Sequence, residues 1–262
     1  MISAMPVAAL SRPMIARGSC RRFKPEKVPP PLLNACCAAA LASPTKSDLQ
    51  QRDIILIEDE RLRAVLNELL TTGPLAQEWI GNAPHLLVFC GNNRRQRQIH
   101  QLRSKPFVND HLDALFNPAV DAGIALAGFM QAAEAMGLGC CPISAIRNDA
   151  QKVSTLLGLP DHVFPVAGLA LGWPKFPPRV TMRLPLSATL HKNQFSEETI
   201  AQDIQAYDEQ RNAHRPLGAQ RDVETHGELE TYGWSEDKAR QYTKPERERF
   251  GAFIKSKGFV LD

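Results

Sequence analysis

Arg17, Ser19 and Arg21 fall at alternate positions of the segment Arg17-Gly18-Ser19-Cys20-Arg21-Arg22-Phe23. In an extended chain alternate side chains share a face. Two guanidinium forks and a hydroxyl then point one way, a donor set suited to an anion and above all to a phosphate. Phe23 shares that parity and offers an anchor to a core. Two further polar segments, Ser43-Pro44-Thr45-Lys46-Ser47 and the run from Arg179 to Pro185, also border predicted strands or helices. Together the three supply donors for a phosphorylated ligand. The seven histidines are scattered, with no H-E-x-x-H pair and no acidic cluster to hold a metal, and no glycine-rich phosphate loop follows a strand-like run. The cysteines include the adjacent pairs Cys36-Cys37 and Cys140-Cys141 but no C-x-x-C spacing. Both pairs lie among apolar residues, where cysteine packs as a small hydrophobe, so reduced thiols in a cytoplasmic protein are expected.

The elements that must position these segments can be read from periodicity. Pro29 to Pro31 precede a predicted helix over 32–42, started by proline in its first turn. Residues 53–58 (DIILIE) read as a strand, and 60–70, with leucines at 62, 66, 69 and 70, as an amphipathic helix. The apolar runs 85–90 and 162–171 read as strands, the second despite Pro165. The longest pattern, 117–137, is apolar nearly all round and predicts a long buried helix ending near Gly137. A helix over 148–157 is closed by Gly158. Beyond residue 196 the pattern is polar: a helix over 197–211, a charged mobile loop over 215–234, and a helix over 236–257.

With 262 residues the chain has room for one large domain or two small ones, and 44% hydrophobic with 23% charged residues is an ordinary globular balance. A net charge of +3 is too small to argue for nucleic acid or an anionic membrane as partner. The expected organisation is an N-terminal arm over 1–15, a core over 16–195, and a C-terminal helical extension over 196–262.

The markers RGSCRRF, ALASPTKSDLQQRDIILIED, AMGLGCCPISAIRN with LLGLP after it, and GLALGWPKFPPRVTMRLP occur in this order. With their spacing, the chain resembles the FMN-dependent nitroreductase family, in particular its NADPH-preferring nitro and flavin reductase branch. The resemblance implies an α+β fold with a central, mainly antiparallel sheet flanked by helices, a long buried helix and a C-terminal helical excursion. It implies a cytoplasmic homodimer with FMN at the interface, NADPH or NADH as donor, and a nitroaromatic, quinone or free flavin as acceptor, served by a ping-pong mechanism.

Carried over by position, the resemblance puts Arg17, Gly18, Ser19 and Arg183 at the FMN phosphate and Arg21 at the N1/O2 edge of the ring. It puts Thr45, Lys46 and Ser47 in a turn that reaches the neighbouring subunit's flavin, and Gln77 at the pyrimidine edge. Pro142, Ile143, Ser144 and Ala145 would run beside N5. Trp79 would line the acceptor pocket or pack in the core, and the basic residues over 215–221 match the region that reads the extra phosphate of NADPH. No catalytic side chain is implied; Arg21 stabilises charge on the reduced ring. Three departures stand out: Thr181 replaces a lysine two positions before Arg183, Ser144 and Ala145 replace two glycines, and Gln51-Arg52 replace an aromatic. Arg179 is close enough in sequence to stand in for the missing lysine. The altered N5 segment keeps open reductive dehalogenation or another specialised flavin reaction, and these changes also leave open a non-catalytic FMN-binding or regulatory protein.

Overall fold

The computed structural model describes residues 15–72 and 76–262, so the arm expected over 1–15 lies almost wholly outside the described residues. Four strands, β1 (Arg52–Leu56), β2 (His85–Asn92), β3 (Gly139–Ile143) and β4 (Val163–Gly172), form one sheet in the order β1-β2-β4-β3. Every pairing is antiparallel. α1 (Pro30–Leu41) precedes β1, and between the strands run α2 (Glu60–Thr71), α3 (Arg94–Leu102), α4 (Asp113–Ala135) and α5 (Ala150–Leu156). After the sheet come α6 (Ile200–His214), α7 (Val223–His226), α8 (Trp234–Gln241) and α9 (Phe250–Ser256).

The strand period of two sorts β2 onto two faces. Leu87 and Phe89 join Leu169 and Leu171 against α1 and α4, where Phe129 meets Phe89 edge-on with ring centroids 5.8 Å apart. Leu86, Val88 and Cys90 join Ile143 and Ala170 on the other face, covered by Leu66 and Leu70 of α2 and Val153 of α5. Pro165 is tolerated in the central strand β4 because the register slips between Phe89 and Cys90, and Pro165 lies opposite Cys90 at that bulge. The main-chain carbonyl of the neighbouring Val166 accepts from the Arg147 guanidinium.

Contacts divide the chain into two compact units, one holding the chain through Val180 together with Arg247–Asp262, the other Thr181–Glu246. The boundary therefore lies ahead of residue 195, and the C-terminal extension does not stay together. Phe253, Ile254 and Phe259 bury against Phe164 and so return the chain end to the sheet unit. The expected single helix over 236–257 is two helices, α8 and α9, because Pro245 disfavours helical geometry at Lys244. Where a loop is expected over 215–234, the second unit carries α7 and a set of buried bonds. The buried Arg240 guanidinium donates to the carbonyls of Arg221 and Gly227, each at 2.9 Å, and Asp237 accepts from Arg221 and from the Tyr232 hydroxyl. No helix among the described residues is long and apolar enough to cross a membrane.

Candidate functional site

The Arg17 segment is extended and lies beside the end of β3. Cys20 N–H donates to the Cys140 carbonyl at 2.9 Å, Lys24 N–H to Trp173 at 2.8 Å, and Lys175 N–H to Arg22 at 3.0 Å. Gly18 and Cys20 are buried, whereas Ser19 and Arg21 are exposed and Arg17 half-buried, the alternation expected from the sequence. Gly18 is required by close approach: a Cβ there would stand 2.3 Å from the Arg179 carbonyl oxygen. Arg17 reaches Glu134 on α4, Nε lying 3.2 and 3.1 Å from its two oxygens. Its Nη2 is buried and, although 3.1 Å from Glu134 Oε1, has no acceptor in hydrogen-bond geometry.

Cys141 of β3 is buried close to this segment. Burial pushes the Cys141 thiol up, against the opposing pull of Arg21, a hydrogen bond with Ser19, and Arg17. All three residues read from the sequence as one donor face thus act on the same thiol of β3. The chain then turns: Pro142 is exposed, Ile143 and Ala145 are buried, and Ser144 opens a 3-10 turn over Ser144–Arg147 with its hydroxyl accepting from Arg247 Nη2 at 3.1 Å. Arg247 carried no signal in its charged sequence context. Gln77 is half-buried and introduces a 3-10 turn over Glu78–Asn82, its N–H bonded to the Leu70 carbonyl at 3.0 Å. Trp79 in that turn packs on the core, as one of its two expected roles has it, and Arg21 lies over its ring at 5.6 Å.

Thr45, Lys46 and Ser47 occupy the turn between α1 and β1, tied to α4 at a different point. Asp121 accepts from Lys46 N–H at 3.0 Å and Gln51 N–H at 3.2 Å. Asp121 and Glu134 are thirteen residues apart on α4 (134 minus 121), about 20 Å along a helix. The Thr45 turn and the Arg17 segment are therefore held at well-separated stations of one helix. Both anchors had a sequence signal: each is an isolated acid in an otherwise apolar helical run, which burial tolerates only when it is bonded. Arg183 belongs to the second unit. Its guanidinium folds back on the carbonyls of Thr181 and Met182 at 2.9 and 3.1 Å and on the Thr181 hydroxyl. Nearby in that unit is a cavity of about 540 Å³ lined by Thr181, Arg183, Tyr207, Arg211 and Trp234. Among the described residues no group of side chains is arranged to hold a metal ion.

Comparison with known proteins agrees over almost the whole chain. The model of the Nitroreductase family matches residues 14–76 and 67–173, and that of the Nitroreductase family C-terminal domain matches 182–262. The chain is 32% identical over 247 residues to "FMN reductase [NAD(P)H]" of Bacillus subtilis, covering 93% of this chain and 95% of that protein. It is 36% identical over 195 residues to "Oxygen-insensitive NADPH nitroreductase" of Salmonella typhimurium, covering 73% and 76%. Among solved structures it superposes on NfrA2 of B. megaterium with a TM-score of 0.85 at 30% identity, covering 98% of this chain and all of that one.

Proposed function

This chain belongs to the nitroreductase family, and on that premise we propose that it is an FMN-dependent oxidoreductase. It passes electrons from NAD(P)H through bound FMN to nitroaromatics, quinones or free flavin. The observation that carries the reading is the extended segment of Arg17, Ser19 and Arg21 bonded beside β3, with Trp79 under Arg21 and a buried Arg17 nitrogen left without an acceptor. Such a surface fits a phosphorylated, planar, partly anionic group. Arg17, Gly18, Ser19 and Arg183 would hold the phosphate, and Gln77 and the Pro142–Ala145 strand end would border the ring. When bound, FMN supplies the hydride- and electron-carrying chemistry. The chain's part is to bind it, to exclude water from one face, and to hold the Arg21 charge where negative charge grows during reduction. Donor and acceptor would use that face in turn, which gives ping-pong kinetics.

We further infer a homodimer with the cofactor at its interface. Two observations support it. One chain holds the Thr45 turn and the Arg17 segment about 20 Å apart along α4, so a site using both is most simply completed by a second copy. In addition, Leu112 at the start of α4 and Phe116, Val120 and Ile124 along it repeat every four residues and are all exposed, an unpartnered apolar stripe. All six cysteines are free thiols, which supports a reducing cytoplasmic setting.

The test is a visible absorbance spectrum of gently purified protein, repeated after NADPH is added without air. A flavin spectrum that bleaches, and returns when a quinone is added, is the expected result. A colourless protein that cannot be reconstituted with FMN would overturn the enzyme reading.

A further inference from the structure

The turn over 45–51 is held in a conformation that its residues resist. Ser47, Asp48 and Gln50 all have left-handed backbones, with φ of 49°, 56° and 52°, a region costly to side chains other than glycine. Something outside the turn must therefore fix it. The donors come from α3, where Gln96 Nε2 reaches the Leu49 carbonyl at 3.2 Å and Arg95 reaches that of Gln50. Within the turn Leu49 N–H donates to the Lys46 carbonyl and Gln50 N–H to the Thr45 hydroxyl, and the acceptor from outside it is Asp121, which is 1% exposed. One oxygen takes Lys46 N–H and the other Gln51 N–H, at the two ends of the strained stretch. Behind it, Asn93 Nδ2 donates to Gln51 Oε1 at 2.9 Å, itself a buried pair.

From this we propose that Asp121 is a positioning residue for FMN binding: by bracketing Lys46 and Gln51 it sets the shape of the Thr45–Ser47 turn that the cofactor site requires. This rests on the function proposed above. A carboxyl buried in an apolar helix is retained at a desolvation cost, and both its oxygens are spent on this one turn. Asparagine at this position would keep one acceptor and set its amide N–H against the other main-chain donor, leaving a buried donor unmet.

The experiment compares Asp121→Asn with Phe129→Leu, a change on the buried face of the same helix that touches no part of the turn. Hydrogen exchange of the peptide spanning residues 44–52 is followed by mass spectrometry in both apoproteins, and each is titrated with FMN by fluorescence. In Asp121→Asn, exchange of that peptide should rise, and the FMN dissociation constant should rise roughly tenfold, the effect of one buried bond left unmet. Phe129→Leu should lower thermal stability with the peptide's exchange and FMN affinity unchanged. Unchanged exchange in Asp121→Asn, equal loosening in both variants, or a loosened turn with unchanged FMN affinity would each overturn the proposal. If the wild-type chain takes up no FMN, the functional reading and the link to the cofactor fall together, while the exchange comparison still decides whether Asp121 holds the turn.

Discussion

Arg17 and Arg21 stand four residues apart with the same charge and different commitments. Arg17 is half-buried, with Nε bound to Glu134, which fixes its orientation and leaves Nη2 for a phosphate. Arg21 is exposed and lies over Trp79. Its charge is the one available to a ring that gains electrons. Arg21→Ala should therefore slow flavin reduction by NADPH roughly tenfold while changing FMN retention little. Arg183→Ala should weaken FMN retention by a similar factor, through loss of a charge-assisted phosphate contact, with the rate of the fully loaded enzyme nearly preserved. Stopped-flow reduction and FMN release on ultrafiltration separate the two. Equal effects of both changes on both quantities would show that the ends of the cofactor are assigned the wrong way round. The thiols take no part in this chemistry. Burial pushes Cys36 up to about 11 and Cys90 to about 12, and raises Cys140 and Cys141 as well, so none is a ready nucleophile.

At the scale of elements, β2 begins at a ring that works only when neutral. His85 Nε2 accepts the Val28 N–H at 2.9 Å, tethering the segment ahead of α1 to the sheet. Burial, with help from Lys27 and Arg63, lowers the pKa of His85 below its ordinary 6.5. Between that value and the lowered one the unfolded chain binds a proton that the fold does not, so stability is lost as pH falls below about 6.5. His162 is lowered in the same sense, again chiefly by burial. Urea midpoints at pH 7.5 and 5.5 should show this loss, and His85→Gln, which keeps an acceptor for Val28, should make it smaller; an unchanged loss would remove His85 from the account. Elements with a strong period of their own were legible in the sequence: α2, β2, β4, and α4 to within a few residues at each end. Strand β3 was not, since Gly139, Cys140, Cys141 and Pro142 have no strand alternation and pair only because β4 lies beside them. The polar α3 carries no core-facing stripe that its sequence would show. The donor face of Arg17, Ser19 and Arg21 could be read from parity alone. Arg247 could not, because its place beside Ser144 depends on α9 folding back onto the sheet unit.

For the molecule as a whole, the question is what completes the site and covers α4. The inner face of α4 is spent on the core through Ala125, Phe129 and Ala133. Its outer face leaves Phe116 60% and Val120 41% exposed. Val120 is the immediate neighbour of Asp121, so a second copy seated on the stripe would press on the helix at the point that holds the Thr45 turn. Assembly and cofactor binding should then be linked, each strengthening the other. Val120→Glu places a charge in that apolar stripe without disturbing a buried side chain. It should weaken the dimer on the order of a hundredfold, the effect of spoiling a central interface contact, and lower FMN affinity with it. Sedimentation velocity across a dilution series, with and without FMN, reads both quantities together. A dimer that survives Val120→Glu would move the interface off α4. A wild-type monomer that binds FMN tightly would show that one chain completes the site alone, despite the separation of its two anchoring acids along the helix.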